Sequence, residues 1–287
     1  MRISTETASI ARHVGMERAV ELVAKAGFDC WDFSMFDMAR YDWTNGCIKE
    51  TDSPLRTAAY ASYAKKLRHI GEEMGITCNQ SHAPYPTYVQ PVLDMQKRAI
   101  ECTAIAGGKI CVIHPKNSAT AEENAEMYAE LLPFAKECGV KIATENMFNW
   151  NKETDTAAPA ACSHHDDFKR HLDLIGDPFF VACVDLGHAE MEGLSTDAPT
   201  MLRTLGGYVQ ALHVHDNDKH LDRHQLPFTM SIDYAPIARA LRDIGYTGEV
   251  TLECDQYLSA YDESTVTVGL SKMAEAARRV ERMITEG

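Results

Sequence analysis

Residues 179–188 read FFVACVDLGH. Six apolar residues run up to Val184, then give way to Asp185 and, after a glycine, to His188. A short apolar run bounded by a turn signal fits a strand buried on both faces, and the polar residues that close it mark the strand's C-terminal end. Seven other stretches have the same character: RISTET (2–7), DCWDFSM (29–35), ITCNQSH (76–82), KICVIHP (109–115), KIATENM (141–147), VQALHVHD (209–216) and GEVTLECD (248–255). With FVACVDLGH, that makes eight strands.

Segments of helical period lie between them. Tyr63, Leu67, Ile70 and Met74 share one helix face, Ile237, Leu241 and Ile244 another, and Met273, Ala277, Val280 and Ile284 a third. Gly27, Gly75, Gly139 and Gly245 fall where helices should stop before the next strand. Eight strand–helix units spread over residues 1–287, with no linker-like tract, predict a single-domain α/β protein of the (β/α)₈ TIM-barrel class. The competing doubly wound sheet usually carries a Gly-rich phosphate turn after its first strand, and neither G-x-G-x-x-G nor a P-loop occurs here.

Composition narrows the function classes. A formal net charge of −14 repels phosphate backbones, so no nucleic-acid partner is expected. The start of the chain has no unbroken apolar signal-like run, and no segment is apolar enough to span a bilayer, so no membrane partner and a cytoplasmic location are expected. The nine cysteines lie scattered in apolar stretches without a C-x-x-C pair, as reduced core thiols do. A small molecule is the expected ligand, and formation of a homo-oligomer is left open.

In a barrel of this class the chemistry sits at the C-terminal ends of the strands. Six successive strands end in metal-capable residues: His82, His114, Glu145, Asp185 with His188, His213 with His215, and Glu253. Carboxylates buried behind apolar strands need a compensating cation, and a divalent metal is the economical one. An ion pair at the barrel mouth is the bland reading for any single member, but separate structural pairs have no reason to recur at every strand end. His213 and His215 are two apart and point to the same face; His213 is taken as the ligand and Asp216 as the residue that orients it. Asp222 and His224 form a D-x-H pair able to hold another metal or the substrate. His164 and His165 read as surface residues. Tyr85, Tyr88, Phe148 and Trp150 follow strand ends and can wall a sugar pocket.

Taken together, TENM at Glu145, VDLGH at Asp185 and His188, LHVHDND at His213, DRHQLP at Asp222 and His224, and TLE at Glu253 resemble the xylose isomerase-like barrel superfamily, which includes sugar phosphate isomerases and epimerases and the endonuclease IV type of nuclease. The resemblance spans nearly the whole chain. By motif it implies a metal held by Glu145, Asp185, His213 and Glu253, with Glu145 and Glu253 as the acid/base pair and His188 against the substrate. Lys219 stands where the epimerases place an arginine. The nuclease branch uses further ligands, for which His82, His114, His188, Asp222 and His224 are candidates. Three carboxylates and one imidazole suit Mn²⁺ or Mg²⁺, and recruitment of the other histidines would favour Zn²⁺. The expected activity is metal-dependent isomerisation or epimerisation of a sugar or sugar phosphate through an enediolate. The alternatives are a lyase or dehydratase on the same intermediate, a phosphodiesterase, and a sugar-binding module without catalysis.

Overall fold

Side-chain direction alternates along each strand and decides which residues enter the barrel. The computed structural model, which describes residues 1–287, forms strands at all eight of the expected places. They are β1 (Ile3–Thr5), β2 (Cys30–Ser34), β3 (Thr77–His82) and β4 (Ile110–Val112), then β5 (Lys141–Glu145), β6 (Phe180–Asp185), β7 (Val209–His213) and β8 (Val250–Leu252). Helices follow them in turn: α1 (Met16–Lys25), α2 (Tyr60–Glu73), α3 (Gln96–Ala106) and α4 (Ala121–Cys138), then α5 (His165–Ile175), α6 (Ala198–Leu205), α7 (Tyr234–Asp243) and α8 (Val266–Thr285). No helix is long and apolar enough to cross a membrane.

The strands from β2 to β7 pair in parallel in chain order. β1 pairs with β8 through Ile3↔Val250, Ser4↔Thr251 and Thr5↔Leu252. Parallel bridges Glu6↔Asp32 and Val214↔Leu252 join β1 to β2 and β7 to β8, and with them the barrel closes.

Within β6, Phe180, Ala182 and Val184 join the main core under the helices, whereas Val181 and Cys183 belong to a small inner cluster with Val112, Ala143 and Ala211. Side chains alternate along a strand. Asp185 therefore continues the inner row of Val181 and Cys183, Glu145 that of Ala143, His114 that of Val112, and His213 and His215 that of Ala211. Glu253 alternates likewise against Leu252 of the main core. In β2, Trp31 and Phe33 face the helices, which turns Asp32 inward.

Local signals set the helix ends. Thr120 and Glu123 form a reciprocal capping box at the start of α4, and Gly139 ends it in the left-handed conformation at φ 67°.

Candidate active site

The inner rows deliver seven of the ring and carboxylate groups into one buried cluster, which His188 enters from the short helix Leu186–Ala189 and Asp222 and His224 from the loop after β7. Glu145 is its hub. Its Oε2 lies 3.1 Å from His114 Nε2 and 3.6 Å from His82 Nε2. Its Oε1 lies 3.0 Å from His213 Nδ1, which is also 3.3 Å from Glu253 Oε2. Asp185 belongs to the other side of the mouth: its Oδ1 accepts the His188 backbone N–H at 2.7 Å and lies 3.0 Å from His215 Nε2. Asp222 Oδ2 completes that side, 3.3 Å from His188 Nε2 and 2.9 Å from His224 Nε2. His188 joins the two halves, its Nδ1 3.9 Å from both Glu145 Oε1 and Asp185 Oδ1.

The structure thus brings Glu145, His213 and Glu253 together as one group and sets Asp185 with His188, His215, Asp222 and His224. Ligand-type atoms of His188, His215, Asp222 and His224 all lie within 4.8 Å of one another, as do those of His82, His213 and Glu253, and those of His82, His114 and Glu145.

Three of the rings are aimed by main-chain acceptors. Nδ1 of His82 is 2.9 Å from Ala83 O, Nδ1 of His188 is 2.9 Å from Asn146 O, and Nδ1 of His224 is 2.8 Å from Glu253 O. A carbonyl oxygen only accepts, so each Nδ1 carries a hydrogen, and in the neutral ring the Nε2 lone pair faces the cluster. Those Nε2 atoms point at Glu145 or Asp222 oxygens, where lone pair opposes lone pair unless a proton or a cation lies between them. Burial opposes the charged form of His188, but Asp185 and Asp222 outweigh it and raise its pKa to about 10. His114 goes the other way: burial depresses it to about 4, beyond what Glu145 restores. Burial works against ionisation of Glu145, yet His213, His114 and His82 hold its carboxyl well below the usual range. Burial raises the Glu253 carboxyl despite His213 and His224.

Buried atoms without a hydrogen-bond partner gather here too: Asp32 Oδ1, Asp185 Oδ2, His213 Nε2, His215 Nδ1 and Asp222 Oδ1. Buried polar atoms are ordinarily satisfied. A set of carboxylate oxygens and imidazole nitrogens turned toward one another fits a divalent cation in place of the protons.

Two expectations change. Asp216 does not orient His213; its carboxylate accepts backbone N–H groups of Thr229, Met230 and Ile232 at 3.0, 2.9 and 3.0 Å and ties down the loop after β7. Lys219 is paired with Glu190 at 2.9 Å, so it is not a free anchor for a substrate. Trp150 packs against the small apolar cluster of Ala157, Met191 and Leu194 and meets His220 edge-on, ring centroids 5.5 Å apart. Tyr85 stacks on His114 at 4.9 Å and lines the adjoining cavity.

Two acids, one within β2 and one just after β1, were missed. Asp32 accepts from Gln80 Nε2 at 2.9 Å and lies 3.6 Å from His213 Nε2. Glu6, beside Ser9 and Ser34, is fully buried, and desolvation raises its pKa to about 7 in spite of the Ser9 hydrogen bonds. The signal for Asp32 was an acid between Trp31 and Phe33; Glu6, among Ser4, Thr5 and Thr7, carried no such signal. Because the folded pKa of Glu6 exceeds the unfolded one, the fold holds the extra proton, and stability falls as pH rises from about 4.5 to about 7, by roughly 3 kcal/mol. Glu6→Gln should therefore match the metal-free parent near pH 4.5 and exceed it in urea denaturation at pH 8. An unchanged difference between the two proteins across that window would remove this assignment.

Comparison with known proteins agrees with this architecture. The family model described as "Xylose isomerase-like TIM barrel" matches residues 20–276. The chain belongs to that family. An uncharacterized protein of Methanocaldococcus jannaschii is 24% identical over 190 residues, a match that covers 60% of this chain and 62% of that protein, less than two thirds of its length. Among solved structures, a D-tagatose 3-epimerase-like protein superposes with a TM-score of 0.73 at 17% identity, covering 100% of this chain and 99% of the other. An L-ribulose 3-epimerase gives 0.70 at 16%, covering 99% and 95%. The IOLI protein with a binding zinc atom gives 0.71 at 15%, covering 100% and 99%. At these identities the likeness establishes the fold.

Proposed function

We propose that this chain, acting as one domain over residues 1–287, is a metal-dependent sugar isomerase or epimerase with Glu145 and Glu253 as its acid/base pair. The observation that carries this reading is the convergence of the two carboxylates on one imidazole, with Glu145 at 3.0 Å and Glu253 at 3.3 Å from His213 Nδ1. Two carboxylic groups at a shared centre, one held ionised and the other biased toward its protonated form, divide acid and base roles. The sugar epimerases among the superposed structures support the same reaction class.

A divalent cation held by Glu145, His213 and Glu253, with Asp185 of the adjoining group as fourth ligand, would act as a Lewis acid toward a hydroxy-ketone, acidifying the C–H beside the carbonyl. Glu145 takes that proton. Glu253 returns one to the opposite face of the resulting enediolate for epimerisation, or to the neighbouring carbon for aldose–ketose isomerisation. His188, fixed through its Nδ1 hydrogen bond to Asn146 O, would offer Nε2 to a substrate hydroxyl in exchange for Asp222 Oδ2, now 3.3 Å away. Tyr85, stacked on His114, walls the pocket. Six imidazoles in the cluster move the metal preference from Mg²⁺ toward Mn²⁺ or Zn²⁺.

One observation favours a second reading. His188, His215, Asp222 and His224 form a complete ligand group of their own, and a multinuclear site would suit phosphoester hydrolysis. The net charge of −14 opposes a nucleic-acid substrate.

Mn²⁺- or Zn²⁺-loaded protein, incubated in D₂O with a panel of ketoses and ketose phosphates, should introduce deuterium beside the carbonyl, followed by NMR. Chelation should abolish the exchange. His224→Ala should reduce turnover less than loss of either glutamate; equal and complete loss in all three variants would count against a single-metal mechanism. Loss of water from the substrate, seen by mass, would indicate the lyase alternative, and cleavage of an abasic oligonucleotide at low salt the nuclease one.

A further inference from the structure

Beside the carboxylate–imidazole cluster opens a cavity of about 930 Å³, and His114 lines both. That volume is large for the chemistry at its inner end. It equals the share of about thirty liquid waters, whereas a free hexose has only about a dozen non-hydrogen atoms. Pockets near 1,000 Å³ suit ligands of drug size.

The outer wall is aromatic. Trp43 is 63% exposed and Tyr88 55% exposed, no other Trp, Tyr or Phe side chain of the protein is comparably open, and both line this cavity. Trp43 projects from an antiparallel hairpin (Tyr41–Asp42 with Cys47–Ile48), which is set before any ligand arrives. The Asp42 carboxylate accepts the backbone N–H groups of Thr44 at 2.9 Å and Asn45 at 3.2 Å, and the Asn45 side-chain amide at 3.0 Å. Tyr41 stands edge-on to Trp43, with centroids 5.1 Å apart, and to Tyr88 at 6.5 Å. Open aromatic faces beside neutral hydrogen-bonding groups are what a sugar or aryl ring requires. Asn117, Ser118 and Asn149 supply those groups.

Charge bears on the ligand as well. Lys116 is the only basic residue lining the cavity, and Glu123 and Glu126 line it with Lys116. Lys219 and Arg223, on the loop after β7, do not line it and are paired with Glu190 and Asp218, each at 2.9 Å. No cluster of free cations is present for a phosphate.

We propose that the substrate is a neutral keto-glycoside of two rings, with the keto-sugar ring at Glu145 and Glu253 and the second ring against Trp43 and Tyr88. The proposal rests on the isomerase or epimerase reading of the site for its reacting ring, but the outer subsite is testable without catalysis. Deuterium exchange is measured for two 3-keto-glucosides, one with a methyl and one with a phenyl aglycone. In the parent protein kcat/KM should favour the phenyl compound by about tenfold or more, and in Trp43→Ala with Tyr88→Ala that ratio should fall toward one. In parallel, binding of unreactive phenyl glucoside, which has no ketone, is followed by calorimetry and should weaken about tenfold in the same double variant.

Equal kcat/KM for the two compounds, or unchanged phenyl glucoside affinity in the variant, overturns the proposal. So does conversion of a dimer to a monomer by Trp43→Ala in sedimentation, because the rings would then serve a contact between copies of this chain. Exchange absent from every keto substrate, with phenyl glucoside binding still dependent on Trp43 and Tyr88, supports the subsite and rejects the reaction class.

Discussion

Glu145→Gln and Glu253→Gln are each expected to stop proton exchange between substrate and solvent, with kcat reduced by about 10²–10⁴. Glutamine keeps the shape of the side chain but can neither take nor return a proton at the substrate carbon. At position 145 the change reaches further, because the imidazoles of His82, His114 and His213 all face that carboxylate, at 3.6, 3.1 and 3.0 Å. Loss of its charge leaves them without their shared anion. Metal content after dialysis, read by elemental analysis, should therefore fall more in Glu145→Gln than in Glu253→Gln, whose parent carboxylate contacts His213 alone of these rings, at 3.3 Å. Exchange within tenfold of the parent in either variant, with an unaltered far-UV spectrum, would remove that glutamate from the proton-transfer pair.

The second large effect comes from a residue with no reactive atom. Gly187 follows Asp185 in the short helix Leu186–Ala189, and a Cβ placed on it would lie 2.0 Å from His215 Cε1, 2.4 Å from Nε2 and 2.6 Å from Nδ1. No carbon atom fits at such distances, so in Gly187→Ala the His215 ring must leave its position. It would lose its 3.0 Å contact with Asp185 and its stacking on His224, where centroids are 3.9 Å apart. Displacing a positioned group by about an ångström can cost a hundredfold in rate. Gly187→Ala should therefore lower kcat by about a hundredfold or more and lower the melting temperature, with overpacking costing about 1–3 kcal/mol. Gly207→Ala, where nothing lies within 4 Å, is the control and should change neither. Full activity in Gly187→Ala would mean that His215 has no part in the site.

Local pattern was enough for the scaffold. The eight strands, the helix stops such as Gly139 and the polar strand ends depend on side-chain periodicity and turn chemistry, which are properties of neighbouring residues. That Glu145, Asp185, His213 and Glu253 reach one mouth follows from that periodicity once the barrel is closed. Which imidazole meets which carboxylate does not. His213 and His215 are equivalent by alternation, and the stagger between strands separates them: Asp185 lies level with His213, while Glu145 lies level with Cys183, two residues earlier on β6. Glu145 and Glu253 thereby meet His213, and Asp185 meets His215.

The pairing of Asp216 with distant amides, the engagement of Lys219 by Glu190 and the entry of Asp32 beside His213 are likewise contacts between segments far apart in the chain. So is the meeting of the Trp43 hairpin with Tyr88. The sequence by itself determined a barrel rimmed with acids and imidazoles, because strand and helix periods are written residue by residue. Tertiary structure alone decided the partners, the orphaned atoms and the cavity, because those depend on strand stagger and loop packing, which no local period encodes.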